Sequence, residues 1–257
     1  LKIILMIDES HHSLKSEISQ RLTKEIQAEL SIAISATPKN INENERVMVF
    51  RNEVIAEEMI KKSVVINEGF KNEIIKETKE GSIEFRTDAV QETNNFVIDK
   101  ALKKRDGLLK LYSEINSKVN PLLLIQLPDS KAHQKEDLKE NIIKILNEYD
   151  ITFENGKLAI WLSDHKENLS NLEKNDNPVE VLIFKQAPAL GWDCPRASII
   201  LTLRDWKKYD FSTQTLGRIM RMPERKHYKD DVLNHGYVFT SSSSLKIHHE
   251  ISNGYTA

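Results

Sequence analysis

The chain has 257 residues, 39% of them hydrophobic, with 37 Lys and Arg against 39 Asp and Glu for a net charge of −2. This composition excludes collagen-like, low-complexity and wholly disordered classes, and the near-neutral balance excludes a global basic field, so any polyanion would have to be held in a local groove. Only 8 glycines and 7 prolines are present, and the length suits two domains at roughly 150 residues each.

Residues 3–7 are a continuous aliphatic run of the kind buried on both faces of a parallel sheet, with Asp8 and Glu9 at its carboxyl end. A helix is predicted from Leu14 to Glu29, with Leu14, Ile18, Leu22 and Ile26 at i+4 spacing, followed by a strand over 31–35. Strand, helix and strand in this order predict a parallel βαβ unit with a right-handed crossover. Asn40 to Asn44 is polar and suits a boundary. Strands are predicted over 46–50 and 63–67, around a short helix carrying Ile55, Met59 and Ile60; residues 70–92 are charged and too weakly periodic to assign.

A long helix is predicted from Asn94 to Lys118, its face marked by Ile98, Leu102, Leu109, Tyr112, Ile115 and Val119. It feeds a buried strand over 121–127. The remainder alternates: a helix over 134–148, a strand over 157–162, a polar loop through Asn177, strands over 179–184 and 197–203, a helix over 211–220 and a last strand over 236–240. Such alternation predicts a doubly wound α/β lobe.

One cysteine, Cys194, excludes an internal disulfide framework and suits a reducing, cytoplasmic setting. No apolar run reaches the ~18 residues of a membrane span, so no membrane partner is expected. The opening Leu1-Lys2-Ile3, with neither an initiator Met nor a signal segment, reads as a piece of a longer polypeptide entered within a buried strand.

Four polar clusters are expected at the carboxyl ends of strands, where loops reach ligands without disturbing the core. In Asp8-Glu9-Ser10-His11 one carboxylate can hold a hydrated Mg²⁺ while its neighbour faces an attacking water. The second cluster is Ser35-Ala36-Thr37-Pro38. The third is Gly191-Trp192-Asp193, in which Gly191 permits close backbone approach and Asp193 can accept a hydrogen bond; Lys185, upstream, could touch a phosphate. In the fourth, Gln214, Arg218 and Arg221 share one face of a helix at i, i+4 and i+7, aiming two guanidinium groups the same way. Taken singly each has an ordinary alternative: acids complementing a helix dipole, a Ser/Thr turn before proline, or a solvated basic face.

Taken in order, the clusters resemble motifs II, III, V and VI of superfamily 2 helicases of the DExH form, carried by Asp8-Glu9-Ser10-His11, Ser35-Ala36-Thr37, Gly191-Trp192-Asp193 and the Gln-x-x-Gly-Arg-x-x-Arg run at Gln214 to Arg221. Pro121 to Gln126 looks like the motif IV strand. Ala189-Leu190-Gly191-Trp192-Asp193-Cys194-Pro195 and Asn120 to Gln126 are most similar to the Res subunits of type III restriction-modification enzymes.

The resemblance implies an α/β fold of RecA-like lobes, each a parallel sheet flanked by helices, the first truncated and the second complete. Residues 1–40 would end the first lobe, 41–118 would connect, and 119–257 would form the second. It implies that Asp8 binds Mg²⁺ and ATP and that Glu9 polarises the attacking water. His11, Ser35 and Thr37 would couple nucleotide state to lobe contacts, with Gly191 and Asp193 at the interlobe cleft. Gln214 would face the triphosphate, with Arg218 and Arg221 as arginine fingers and Lys185 on nucleic-acid phosphate. The implied partners are double-stranded DNA and a methyltransferase (modification) subunit.

Two departures qualify this. No Gly-x-x-x-x-Gly-Lys-Ser/Thr loop occurs, since Gly156-Lys157 is followed by Leu158, so the chain by itself is expected not to hydrolyse ATP. Lys185 also stands where many relatives carry Thr. The alternatives are a DNA-repair or type I restriction helicase, and a non-catalytic module binding nucleic acid or protein. Asp210 with Glu224-Arg225-Lys226 mimics a nuclease spacing across the motif VI helix, and no His or Cys spacing suggests a zinc site. Trp161, Trp192 and Trp206 are candidates for base stacking or for core packing.

Overall fold

The computed structural model of the chain describes residues 2–8, 16–35, 44–70, 74–77, 83–85, 90–128, 132–185, 192–203, 216–240 and 255–256. These divide into two compact units, Leu1–Val49 and Phe50–Ala257. In the first, Ile4–Ile7 (β1) and Leu30–Ala33 (β2) pair in parallel, joined through helix Glu17–Ile26 (α1), which is the expected βαβ order. Ser16 caps α1 by accepting from the Ser19 N–H at 3.1 Å, and Gln27, at φ 46°, ends it in the left-handed region. Ile18 and Leu22, predicted to face a core, are exposed, and so are Ile4 and Met6 of the run expected to be buried on both faces, because a two-stranded sheet with one helix encloses no core of its own.

In the second unit, helix Arg51–Ala56 (α2) begins where the Phe50 N–H donates to Glu53 Oε2 at 2.7 Å. Strand Ser63–Ile66 (β3), the antiparallel pair Ile74–Glu77 (β4) and Ile83–Phe85 (β5), and helix Val90–Glu114 (α3) follow. Then come Leu122–Gln126 (β6), helix Ala132–Glu148 (α4), Leu158–Trp161 (β7), Lys166–Glu167 (β8), Val181–Phe184 (β9) and Ala197–Thr202 (β10). A 3₁₀ turn at Asp231–Asn234 leads to His235–Thr240 (β11), and Tyr255–Thr256 (β12) completes the set. Eight of these strands form one sheet in the order β12-β3-β11-β10-β6-β9-β7-β8. Every pairing is parallel except β7 with β8.

The sheet is apolar on both faces because its strand residues alternate between two cores. Leu123, Ile125, Ile160, Ile183, Leu201 and Phe239 meet Val97, Ile98, Leu102 and Leu108 of α3 and Ile142 and Leu146 of α4. Leu122, Leu124, Ala159, Leu182, Ile200 and Val238 point the other way, toward Leu172, Cys194, Leu216 and Ile219. The stretch holding Arg218 and Arg221 therefore packs on the face opposite α3 and α4. At the amino ends of the strands sits fully buried Arg196, whose guanidinium donates to the carbonyls of Leu172 (2.7 Å), Asn120 (2.8 Å) and Val179 (2.9 Å). Burial pulls its pKa down to about 10.

Several expectations need correction. Residues 46–50 are not a strand: Val47 is 90% exposed, and an apolar run without a pairing partner does not form one. The unassigned stretch from 70 contains the β4–β5 pair. Helix α3 stops at Glu114 rather than Lys118, because Asn116 adopts the left-handed conformation at φ 55° and Ser117 N–H turns back to Tyr112 O at 2.9 Å. Leu108, not Leu109, is the buried residue of its face, and Ile115 is exposed. Of the helix predicted over 211–220, residues 216–219 are helical and 211–215 lie outside the described residues.

Candidate functional site

Parallel pairing of Ile7 with Ala33 puts the residues that follow β1 and β2 at one edge, and the ladder continues as Ile34 N–H donates to Ile7 O at 2.8 Å. Asp8 and Ser35 thus stand at neighbouring strand ends, the place expected for residues around a polar ligand. Glu9, His11 and Thr37 lie outside the described residues, as do Gly191 and Gln214.

In the larger unit Lys185 follows β9 at its carboxyl end, where its carbonyl accepts from Gln126 Nε2 at 3.4 Å. Gln126 Oε1 in turn accepts from Thr202 Oγ1 at 3.4 Å. Gln126, Thr202 and Thr240 are buried polar side chains closing β6, β10 and β11; none of them was expected from the sequence to take a role in a site, Gln126 entering only as the end of the motif IV strand. What could have flagged them is a single polar residue ending an otherwise aliphatic run.

Trp192-Asp193 and the arginines are placed differently from expectation. Trp192 and Asp193 lead into the amino end of β10, and Arg221 forms an isolated antiparallel bridge with Ile60, ahead of β3. Trp192, Asp193 and Arg221 therefore lie toward the amino ends of β3 and β10, not at carboxyl ends. Arg218 is on the 216–219 helical turn whereas Arg221 has left it, so the shared helix face does not form.

The two guanidinium groups converge nonetheless. Arg221 Nη1 contacts Asp193 Oδ2 at 2.5 Å, and Arg218 Nη1 donates to the Trp192 carbonyl at 2.6 Å with its guanidinium 5.7 Å over the Trp192 ring. Burial, reinforced by the like charge of Arg221 and opposed by Asp193, lowers the pKa of Arg218. The Asp193–Arg221 pair is about half exposed on both sides, so an anion can compete with Asp193 for Arg221 at little cost. Two adjacent cationic forks, one supported by an indole and one by an exchangeable carboxylate, suit a phosphate-bearing anion.

Other singled-out residues have structural partners. Gly156 takes φ 75° in a turn and Lys157 pairs with Asp150 at 3.0 Å, which is not a phosphate loop. Glu224 pairs with Lys226 at 3.1 Å and accepts from Tyr228 and Ser117. Asp210 and Trp206 lie outside the described residues. Trp161 and Trp192 pack edge to face, 6.2 Å between centroids, against the second core. Among the described residues no group of three or more His, Cys, Asp or Glu side chains gathers as a metal site, and no helix is long and apolar enough to cross a membrane. The donors in hand do not make a full Mg²⁺-nucleotide site: Asp8 supplies a carboxylate, but the sequence holds no loop to cradle the phosphates or offer the ion a hydroxyl.

No family model and no curated protein matches the chain. Among solved structures it is similar to a fragment described as the HsdR subunit of a type I restriction enzyme from Vibrio vulnificus YJ016. That match has 14% identity and a TM-score of 0.52, covering 95% of this chain and 44% of that one. It is also similar to the ATP-dependent type ISP restriction-modification enzyme LlaBIII bound to DNA, at 14% identity and a TM-score of 0.44, covering 92% of this chain and 18% of that one. The chain thus spans less than half the length of either. The first likeness is one of fold, a mostly parallel sheet flanked by helices, consistent with the RecA-like class. At 14% identity this likeness is to the fold and does not single out the type III Res subunit expected from the sequence.

Proposed function

We propose that the chain is the motor part of a restriction-system DNA translocase of superfamily 2, in which ATP hydrolysis drives movement on double-stranded DNA. The observation that carries this reading is the convergence of Arg218 and Arg221 on Trp192 and Asp193. Residues from two separate motifs, 25 or more positions apart in sequence, meet as an anion-ready pair on a restriction-enzyme fold. In this reading Arg218 and Arg221 neutralise charge developing on the γ-phosphate, an effect typically worth ~10³–10⁵ in rate. Asp8 would contribute one carboxylate toward Mg²⁺, Glu9 would face the attacking water, Gln214 would meet the triphosphate, and Ser35, Thr37 and His11 would link nucleotide state to lobe contacts. Gly191 gives the backbone room to approach, and Lys185 contacts DNA phosphate.

The chain on its own does not turn over ATP, because it has no phosphate-cradling loop. The type III assignment rests on the resemblance at Asn120 to Gln126 and Ala189 to Pro195, with a methyltransferase subunit as partner; a neighbouring modification gene separates it from a repair helicase. The test is DNA-stimulated ATPase of the complete gene product. Turnover should depend on DNA and collapse in Glu9→Gln, and DNA-independent or unaffected turnover would overturn the proposal.

A further inference from the structure

Lys61 is fully buried, and its ammonium donates to three main-chain carbonyls: Ile219 O at 2.6 Å, Arg221 O at 3.0 Å and Ala197 O at 3.5 Å. Around it the main chain is stitched on both sides. Lys61 N–H donates to Met220 O at 2.6 Å, Met222 N–H donates to Met59 O at 3.1 Å, and Ile60 bridges Arg221. Two of the ammonium's acceptors lie in the stretch from which Arg218 and Arg221 project, where the end of a helical turn leaves carbonyls without partners of its own. The third opens β10, four residues after Asp193. One cation therefore ties the backbone under both arginines to the strand whose lead-in carries Trp192 and Asp193.

A buried lysine is a poor choice for packing alone. Its charge is stripped of water, burial draws its pKa down to about 7, and an apolar side chain of equal length would fill the space. What an apolar replacement could not do is hold the three carbonyls in one place.

We propose that Lys61 is a positioning residue for the arginine pair, fixing the backbone of 219–221 so that both guanidinium groups reach the same anion. The inference rests on reading Arg218 and Arg221 as phosphate partners, and it needs no contact between Lys61 and substrate.

The experiment compares Lys61→Met and Lys61→Gln with the unaltered complete gene product and, in parallel, with this chain alone. Lys61→Met should lower Tm by about 5–10 °C and leave the protein folded at the assay temperature, since stranding the carbonyls outweighs the relief of desolvation. It should lower the kcat of DNA-stimulated ATPase about tenfold or more and leave KM for ATP within about threefold, as expected when transition-state contacts alone are lost. Lys61→Gln, which retains an amide donor, should recover part of kcat. In this chain the Nε–Hε resonances of Arg218 and Arg221 should shift in both variants. Unchanged kcat in folded Lys61→Met overturns the proposal, as does a fall in folded fraction at the assay temperature that accounts for all lost activity. Should Lys61→Met fail to fold, unchanged kcat in Lys61→Gln overturns it equally. If the unaltered protein shows no ATPase, the functional reading fails by itself; the positioning claim is then decided by the arginine resonances, and unmoved signals in Lys61→Gln reject it.

Discussion

Gly236 and Ile219 touch so closely that a Cβ on Gly236 would stand 3.2 Å from Ile219 Cδ1 and 3.3 Å from both Ile219 Cγ1 and Ile219 O. Gly236 is the second residue of β11, and its bare backbone lets the arginine-bearing turn settle on the sheet. Gly236→Ala should destabilise the protein by about 1–3 kcal/mol through overpacking. Adding Ile219→Val, which removes Cδ1, should restore part of that loss, though the backbone oxygen still stands in the way. Urea unfolding of the single and double variants measures the coupling.

Arg196 is held by carbonyl oxygens, with no carboxylate among the described residues at bonding distance, so its worth lies in answering acceptors the strand ends leave buried. Arg196→Leu would strand the carbonyls of Leu172, Asn120 and Val179 without that donor. A loss of about 2–4 kcal/mol is expected, read from the urea midpoint.

Asp231 accepts from Lys62 at 2.6 Å, from His235 Nε2 at 3.0 Å and from Asn234 Nδ2 at 3.2 Å, and these donors hold its carboxyl well below the ordinary aspartate range. Since the folded carboxylate titrates below the unfolded one, its stabilisation is complete above the ordinary pKa and is lost as pH falls through the folded value. The side chain is 60% exposed, so the contribution at neutral pH should stay under about 1 kcal/mol. Asp231→Asn should change Tm little at pH 7 and give a shallower fall of stability below about pH 4, checked by thermal melts from pH 2 to 7.

Cys194 is buried, its thiol donates to Leu172 O at 3.3 Å, and burial pushes its pKa up to about 11 against the opposing charge of Arg196. Ellman's reagent at pH 8 should leave the native chain unlabelled and titrate one thiol per chain after denaturation, in keeping with the single cysteine of the sequence.

The strands of the central sheet were legible because they are buried on both sides and read as aliphatic runs: 122–126, 181–184 and 197–202 have ends within two residues of those predicted. Helix α4, predicted over 134–148, was similarly clear. Strand order was not legible, since nothing local tells β3 that it will lie between β12 and β11. The run 46–50 had the composition of a strand, but pairing depends on a partner that composition cannot supply. The spacing of Arg218 and Arg221 stands out in the sequence. Their true arrangement was hidden, because a fixed helical period carries Arg221 past the point where the helix ends at 219. Lys61 left no trace: between Ile60 and Lys62 it resembles one solvated lysine of many, and its burial comes from a chain segment about 160 positions away.

The central claim is that Arg218 and Arg221 meet the transferring phosphoryl group. Its most direct test is single-turnover, DNA-stimulated ATPase of the complete gene product carrying Arg218→Ala or Arg221→Ala. Because the Arg221–Asp193 pair is exposed, Arg221→Ala should leave Tm nearly unchanged. Each variant should lose roughly 10³-fold in rate. Rates within about threefold of the unaltered protein, with both variants folded and DNA-bound, would contradict the account.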